Sequence, residues 1–134
     1  MNNYIKILKK LNLKALKHND VPVSCIIIYN NKIISKAYNM RENKKNPLFH
    51  AEIIAIQKAS KRLKTWNLSE CKLIVTLKPC NMCLEVIKNA KISEVYYILD
   101  SEKNVNRKVK FLKINCKDEN YFSNELKNFF IDKR

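Results

Sequence analysis

The stretch KLIVTLKPCNMCLEVIKNA, residues 72–90, reads as a strand, a sharp turn and a helix. Ile74, Val75 and Thr76 are β-branched and suit a pleated, half-buried surface. Pro79 fits the opening of a helix, where its missing N–H costs nothing. That helix is expected to reach about Ala90 and to bury Met82, Val86 and Ile87. Another strand is expected over 95–99. Strands linked through helices favour parallel neighbours in a layered α/β sheet.

The same periodicity arguments extend outward. Tyr4, Leu8, Leu11 and Ala15 form the apolar stripe of a helix over 3–18, with lysines on its other face and Asp20 and Pro22 ending it. Strands are expected over 23–29 and 32–38, joined by the two-residue turn Asn30-Asn31. Asn tolerates positive φ, so a tight hairpin is possible in a chain with no glycine. Residues 40–48 read as a loop and 49–63 as a helix carrying Ile53, Ile56 and Leu63. A turn over 65–69 is expected to pack Trp66 on the core. A fifth strand is expected over 109–114 and a last helix over 118–130, with Phe122, Leu126, Phe129 and Phe130 on one stripe. No repeat, linker or low-complexity tail interrupts this order, and 134 residues suit one domain over 1–134.

Bulk composition narrows the functional classes. The apolar runs at 25–29 and 73–75 are far too short for a membrane span. The lysine-rich start lacks the apolar stretch of a signal peptide, so a cytoplasmic protein is expected. Twenty-seven basic against twelve acidic side chains leave a net charge of +15. A polyanionic partner such as nucleic acid would account for that charge. Compositional drift toward Lys, Asn and Ile competes as an explanation. Five cysteines, an odd number, argue against a disulfide framework. Cys25, Cys71 and Cys116 read as small buried hydrophobes.

Cys80 and Cys83 stand apart from those three. They are three residues apart at a helix start, so both thiols share one face, and the helix dipole favours thiolates there. His50-Ala51-Glu52 stands at the start of the preceding helix. One imidazole and two thiolates suit Zn²⁺ and leave a fourth tetrahedral position for water, the pattern of a catalytic site. Glu52 is the candidate to carry the proton of that activated water. Taken singly, the Cys pair could be a redox pair or half of a structural zinc site. Structural zinc usually takes four protein ligands. His18 lies on a surface-like helix, and Cys71 begins a strand that should point elsewhere.

With these residues in view, the chain resembles the zinc nucleobase deaminases, whose signature is His-x-Glu followed by Pro-Cys-x-x-Cys. Within that superfamily it is similar to bacterial tRNA adenosine deaminases. The resemblance covers 4–99 well and 106–134 loosely. It is carried by Asp20-Val21-Pro22-Val23, Tyr38-Asn39, Phe49-His50-Ala51-Glu52-Ile53, Trp66-Asn67-Leu68, Thr76-Leu77-Lys78-Pro79-Cys80, and Phe129-Phe130 with Lys133-Arg134. It implies an α/β fold of three layers, α-β-α, around a central five-stranded mixed sheet. It implies Zn²⁺ on His50, Cys80 and Cys83, with Glu52 catalytic. Asn39 would hold the nucleoside, and the Ala51 N–H would face the base. The implied reaction is hydrolytic conversion of adenosine to inosine at the wobble position of tRNA, with the anticodon stem-loop as partner and a homodimer as the assembly. Free nucleobase or nucleotide deamination, of guanine, cytosine or dCMP, is one alternative. A non-catalytic RNA-binding subunit of the same fold is another.

Two features depart from the family. Lys78 stands where the family has Glu, and should make the site more electropositive. The connection at 100–107 is shorter than the family's glycine-rich loop and helix. A parallel crossover usually needs a dozen residues or more, so the fifth strand is expected to turn antiparallel or to pair elsewhere.

Overall fold

The computed structural model of the chain describes residues 2–101 and 109–132. Its elements in chain order are α1 (Asn2–Lys17), β1 (Ser24–Tyr29), β2 (Lys32–Tyr38), α2 (Arg41–Lys44), α3 (Ala51–Leu63), β3 (Lys72–Leu77), α4 (Asn81–Asn89), β4 (Glu94–Leu99), β5 (Lys110–Lys113) and α5 (Glu119–Asp132). The strands form one five-stranded mixed sheet in the order β2-β1-β3-β4-β5. β1 runs antiparallel to both β2 and β3, whereas β3, β4 and β5 are parallel.

Alternation along the strands divides the core between the two faces of the sheet. Cys25, Ile27, Leu73, Val75 and Val95 face α3 and α4, where Ile54, Ala55, Leu84 and Ile87 complete one cluster. Ile26, Ile28, Ile74 and Ile98 face the opposite way, toward Ile5, Leu8 and Leu11 of α1 and Phe122 of α5. The three layers are therefore α1/α5, sheet, and α3/α4. Lys9 pairs with Asp118 at 2.9 Å, and Asn12 Nδ2 donates to Glu125 Oε1 at 2.8 Å, joining α1 to the α5 region.

Several expectations are corrected. β5 runs parallel to β4, with Glu94 opposite Lys110 and Tyr97 opposite Lys113. Ten residues separate Leu99 from Lys110. They can span about 33 Å when extended, whereas the return along so short a strand needs only about 17 Å. Most of the connection, 102–108, lies outside the described residues, as do Lys133 and Arg134. The supposed loop at 40–48 contains the one-turn helix α2. Asp20, buried, accepts from the α2 backbone N–H groups of Glu42 at 2.8 Å and Asn43 at 3.2 Å. Its carboxylate therefore satisfies donors that the short helix cannot satisfy itself. Trp66 is 64% exposed, and Leu68 takes the core position in that turn. Cys25 and Cys71 are buried, as expected of small hydrophobes, while Cys116 is only half-buried.

A chain without glycine must meet its left-handed positions with other residues. Asn30 at φ 51° and Asn31 at φ 63° form the expected hairpin turn, and Asn19 at φ 60° ends α1. Lys45, Lys64 and Lys91 also hold φ between 52° and 68°. A Cβ in that conformation costs about 1–2 kcal/mol, of which glycine's extra chain entropy offsets about 0.5–1 kcal/mol. Lys64→Gly, at the end of α3, is therefore expected to raise stability by about 0.5–1 kcal/mol in urea unfolding.

Candidate active site

β2 ends at Tyr38 and β3 at Leu77, and the chain leaving each soon enters a helix. His50 caps α3 with extended backbone, φ −76° and ψ 152°, and Cys80 caps α4 at φ −72° and ψ 173°. Neither uses its side chain to cap its own helix, so both side chains are available elsewhere. The backbone secures each turn: Ile54 N–H donates to His50 O at 3.1 Å, and Leu84 N–H to Cys80 O at 2.9 Å.

The ligand atoms of His50, Cys80 and Cys83 lie within 4.8 Å of one another. Nδ1 is the imidazole nitrogen that faces the sulfurs, 3.7 Å from Cys80 Sγ and 3.5 Å from Cys83 Sγ. Zn–S bonds of about 2.3 Å and a Zn–N bond of about 2.0 Å at the tetrahedral angle require an S···N edge of about 3.5 Å. Both S···N edges thus match those of a zinc site. Among the described residues this is the one such group, and neither His18 nor Cys71 belongs to it. Cys83 is buried and Cys80 exposed, so the cluster opens on one side.

Electrostatics agree with the geometry. Hydrogen bonds from Cys83 and then His50 bring the Cys80 thiol pKa down to about 3. Cys83 moves upward, because it donates to Cys80 and because it is buried. A divalent cation at the cluster would displace that retained proton, since a coordinating thiol ionises outright. The pKa of His50 is raised, first by its hydrogen bond to Cys80. Glu52, one residue inside α3's first turn, is 4% exposed yet lines the same cavity. Burial lifts its carboxyl to about 7 against the opposing pull of its own backbone N–H, and the Cys80 thiolate adds to the rise. A carboxyl balanced near neutrality can both accept and return a proton.

The cavity holds about 390 Å³, within the range of small-molecule sites. Val21, Val23 and Leu77 form its apolar wall, and Asn39, His50, Glu52 and Cys80 its chemical side. Sequence reasoning missed Arg41, Asn81 and Ser101, which also line it. Asn81 sits inside the Cys-x-x-Cys spacing and was open to notice. Arg41 and Ser101 follow the ends of β2 and β4, and no local pattern marks them.

Ala51 differs from expectation. Its N–H, expected to face the base, donates to Asn39 Oδ1 at 2.8 Å in a buried bond. First-turn amides have no partner within their helix and must find one nearby. The bond orients the Asn39 amide, so its NH₂ is the group left for a ligand.

Comparison with known proteins places these residues in context. The family described as the cytidine and deoxycytidylate deaminase zinc-binding region matches residues 1–99. A tRNA-specific adenosine deaminase of Rickettsia bellii is 45% identical over 85 residues, covering 62% of this chain and 59% of that protein. One from Aquifex aeolicus is 39% identical over 94 residues, covering 70% and 62%. The chain thus spans about six tenths of the length of these curated relatives. A structure from studies of A-to-I editing by tRNA:A34 deaminases at the wobble position of transfer RNA superposes with a TM-score of 0.84, at 21% identity, covering 94% of this chain and all of that one. A guanine deaminase of Bacillus subtilis also superposes, with a TM-score of 0.65 at 23% identity over 92% of both chains. At such identities the likeness concerns the fold, which is that of the deaminases.

Purified protein is expected to hold one zinc per chain by elemental analysis. His50→Ala and Cys83→Ala should each lose most of it, and Cys71→Ala should keep it.

Proposed function

Because the chain belongs to the cytidine and deoxycytidylate deaminase zinc-binding family, we propose that it is a zinc-dependent hydrolase that converts adenosine to inosine at the wobble position of tRNA. The observation that carries the chemistry is Glu52: a buried carboxyl, near neutral in pKa, in one cavity with a three-ligand cluster. The choice of substrate is supported by the similarity to tRNA-specific adenosine deaminases and by the net charge of +15.

His50, Cys80 and Cys83 would hold zinc, which would supply the Lewis acidity that activates water. Glu52 takes one proton from the attacking water and delivers it to the ring nitrogen beside the carbon under attack. It then takes the second proton, from the hydroxyl now bonded to that carbon, and passes it to the amine, which leaves as ammonia as the C–N bond breaks and the C=O forms. Asn39 holds the nucleoside through its NH₂, and Ala51 acts through Asn39 by anchoring Oδ1. The apolar wall of Val21, Val23 and Leu77 accepts the flat faces of the base and keeps bulk water off Glu52.

The partner in this proposal is the anticodon stem-loop, whose unstacked bases can be splayed into a cavity. The assembly is a homodimer and the compartment the cytoplasm. Among the described residues no helix is long and apolar enough to cross a membrane.

One assay tests the proposal, offering stem-loop RNA with a wobble adenosine beside free adenosine, cytidine and guanine. Inosine should form in the RNA and stop with chelator. Rapid turnover of a free base with no inosine in RNA would reject the tRNA substrate. Glu52→Ala should retain zinc and lose about 10²–10⁴-fold in rate; an unchanged rate would reject the proton carrier. RNA affinity should fall steeply with added salt, and a flat response would exclude phosphate contacts.

A further inference from the structure

Lys78 is one of the cavity residues that neither the zinc cluster nor the proton path uses. It lies between the end of β3 and the start of α4 and lines the cavity beside Cys80 and Ser101. Its ammonium sits over two aromatic rings, 4.7 Å from the Phe111 centroid and 5.2 Å from that of Tyr97. Those rings meet edge to face at 6.3 Å, so the platform is itself fixed. The backbone is tied as well: Lys78 N–H donates to Leu99 O at 2.9 Å, and Ser101 Oγ donates to Lys78 O at 3.3 Å.

Lys113 gives the contrast. Its ammonium is also near the Tyr97 ring, but it binds Ile98 O, Asp100 at 3.4 Å and Glu119 at 3.1 Å. Two carboxylates neutralise it. Lys78 forms no ion pair with any described residue. A cation held on ring faces keeps its charge and its N–H donors for an outside acceptor. Of these two lysines, the one at the cavity has no described carboxylate within ion-pair distance; Asp100, which Lys113 pairs, feels its charge only from further away.

We propose that Lys78 is a substrate-binding residue that contacts a backbone phosphate next to the target adenosine and so favours a base within an RNA strand over a free base or nucleoside. The inference rests on the RNA substrate proposed above. A base drawn into the cavity brings its flanking phosphates to the rim, and a Lys ammonium binds phosphate as a point charge. Lys78 is a positioning group and takes no proton.

The test uses the zinc-loaded full chain and a stem-loop RNA with a wobble adenosine. Lys78→Gln is expected to raise KM about tenfold, the order of one charged hydrogen bond, with a smaller change in kcat. Lys78→Arg, which keeps the charge, should stay nearer the wild type. In RNAs carrying one neutral methylphosphonate at a time, the wild type should lose a similar factor at a single linkage beside the adenosine. Lys78→Gln should lose nothing further at that linkage. Its slope of log affinity against log salt should be shallower by about 0.7, one single-strand phosphate. Unchanged KM in Lys78→Gln, loss of its zinc, or additive losses at every linkage would overturn the phosphate contact while leaving the proposed function intact. Failure of the wild type itself to form inosine would reject both.

Discussion

Two helices can present three ligands to one ion only if their first turns meet, and every other feature of the site follows from that meeting. α3 and α4 pack on the same face of the sheet, through Ala55 and Ile54 on one side and Leu84 and Ile87 on the other. Their starts are set by the ends of β2 and β3, which lie one on each side of β1 in the sheet. The bond from Ala51 N–H to Asn39 Oδ1 then fastens the first turn of α3 to the residue that follows β2. His50, the residue before Ala51, is held within 3.7 Å of both sulfurs as a result.

The same arrangement accounts for the charge balance. Two helix N-termini point toward the cluster, and their partial positive charge favours thiolates. Glu52 lies one residue past Ala51, deep enough to resist ionisation and close enough to feel the Cys80 thiolate. In water its carboxyl would be ionised at neutral pH and a poor proton donor. Its pKa near neutrality depends on burial, a property of the assembled layers.

Elements with strong local patterns were legible in the sequence. The β-branched run of β3, the stripe of α1 and the Asn-Asn hairpin depend on neighbours in sequence, and they stand close to where patterning puts them. Failures came where a distant group decided the outcome. α2 depends on Asp20, some twenty positions earlier, for two of its amide partners. β5 lies parallel because it pairs with β4 and the ten residues between them are long enough for the return. Trp66 stays outside because Leu68 fills the core beneath the turn.

By itself the sequence determined the residue types available: His50, Cys80 and Cys83 as candidate metal donors, the Glu52 carboxyl two positions from His50, and an excess of positive charge. Those are matters of residue type and short spacing, which a linear pattern preserves. Only the tertiary structure decided that Nδ1 is the nitrogen turned toward the sulfurs, that Ala51 serves Asn39, and that Arg41, Lys78 and Ser101 reach one cavity. These last three follow different strands, and nothing in their local sequence links them; the sheet brings them together because its strand ends gather along one edge.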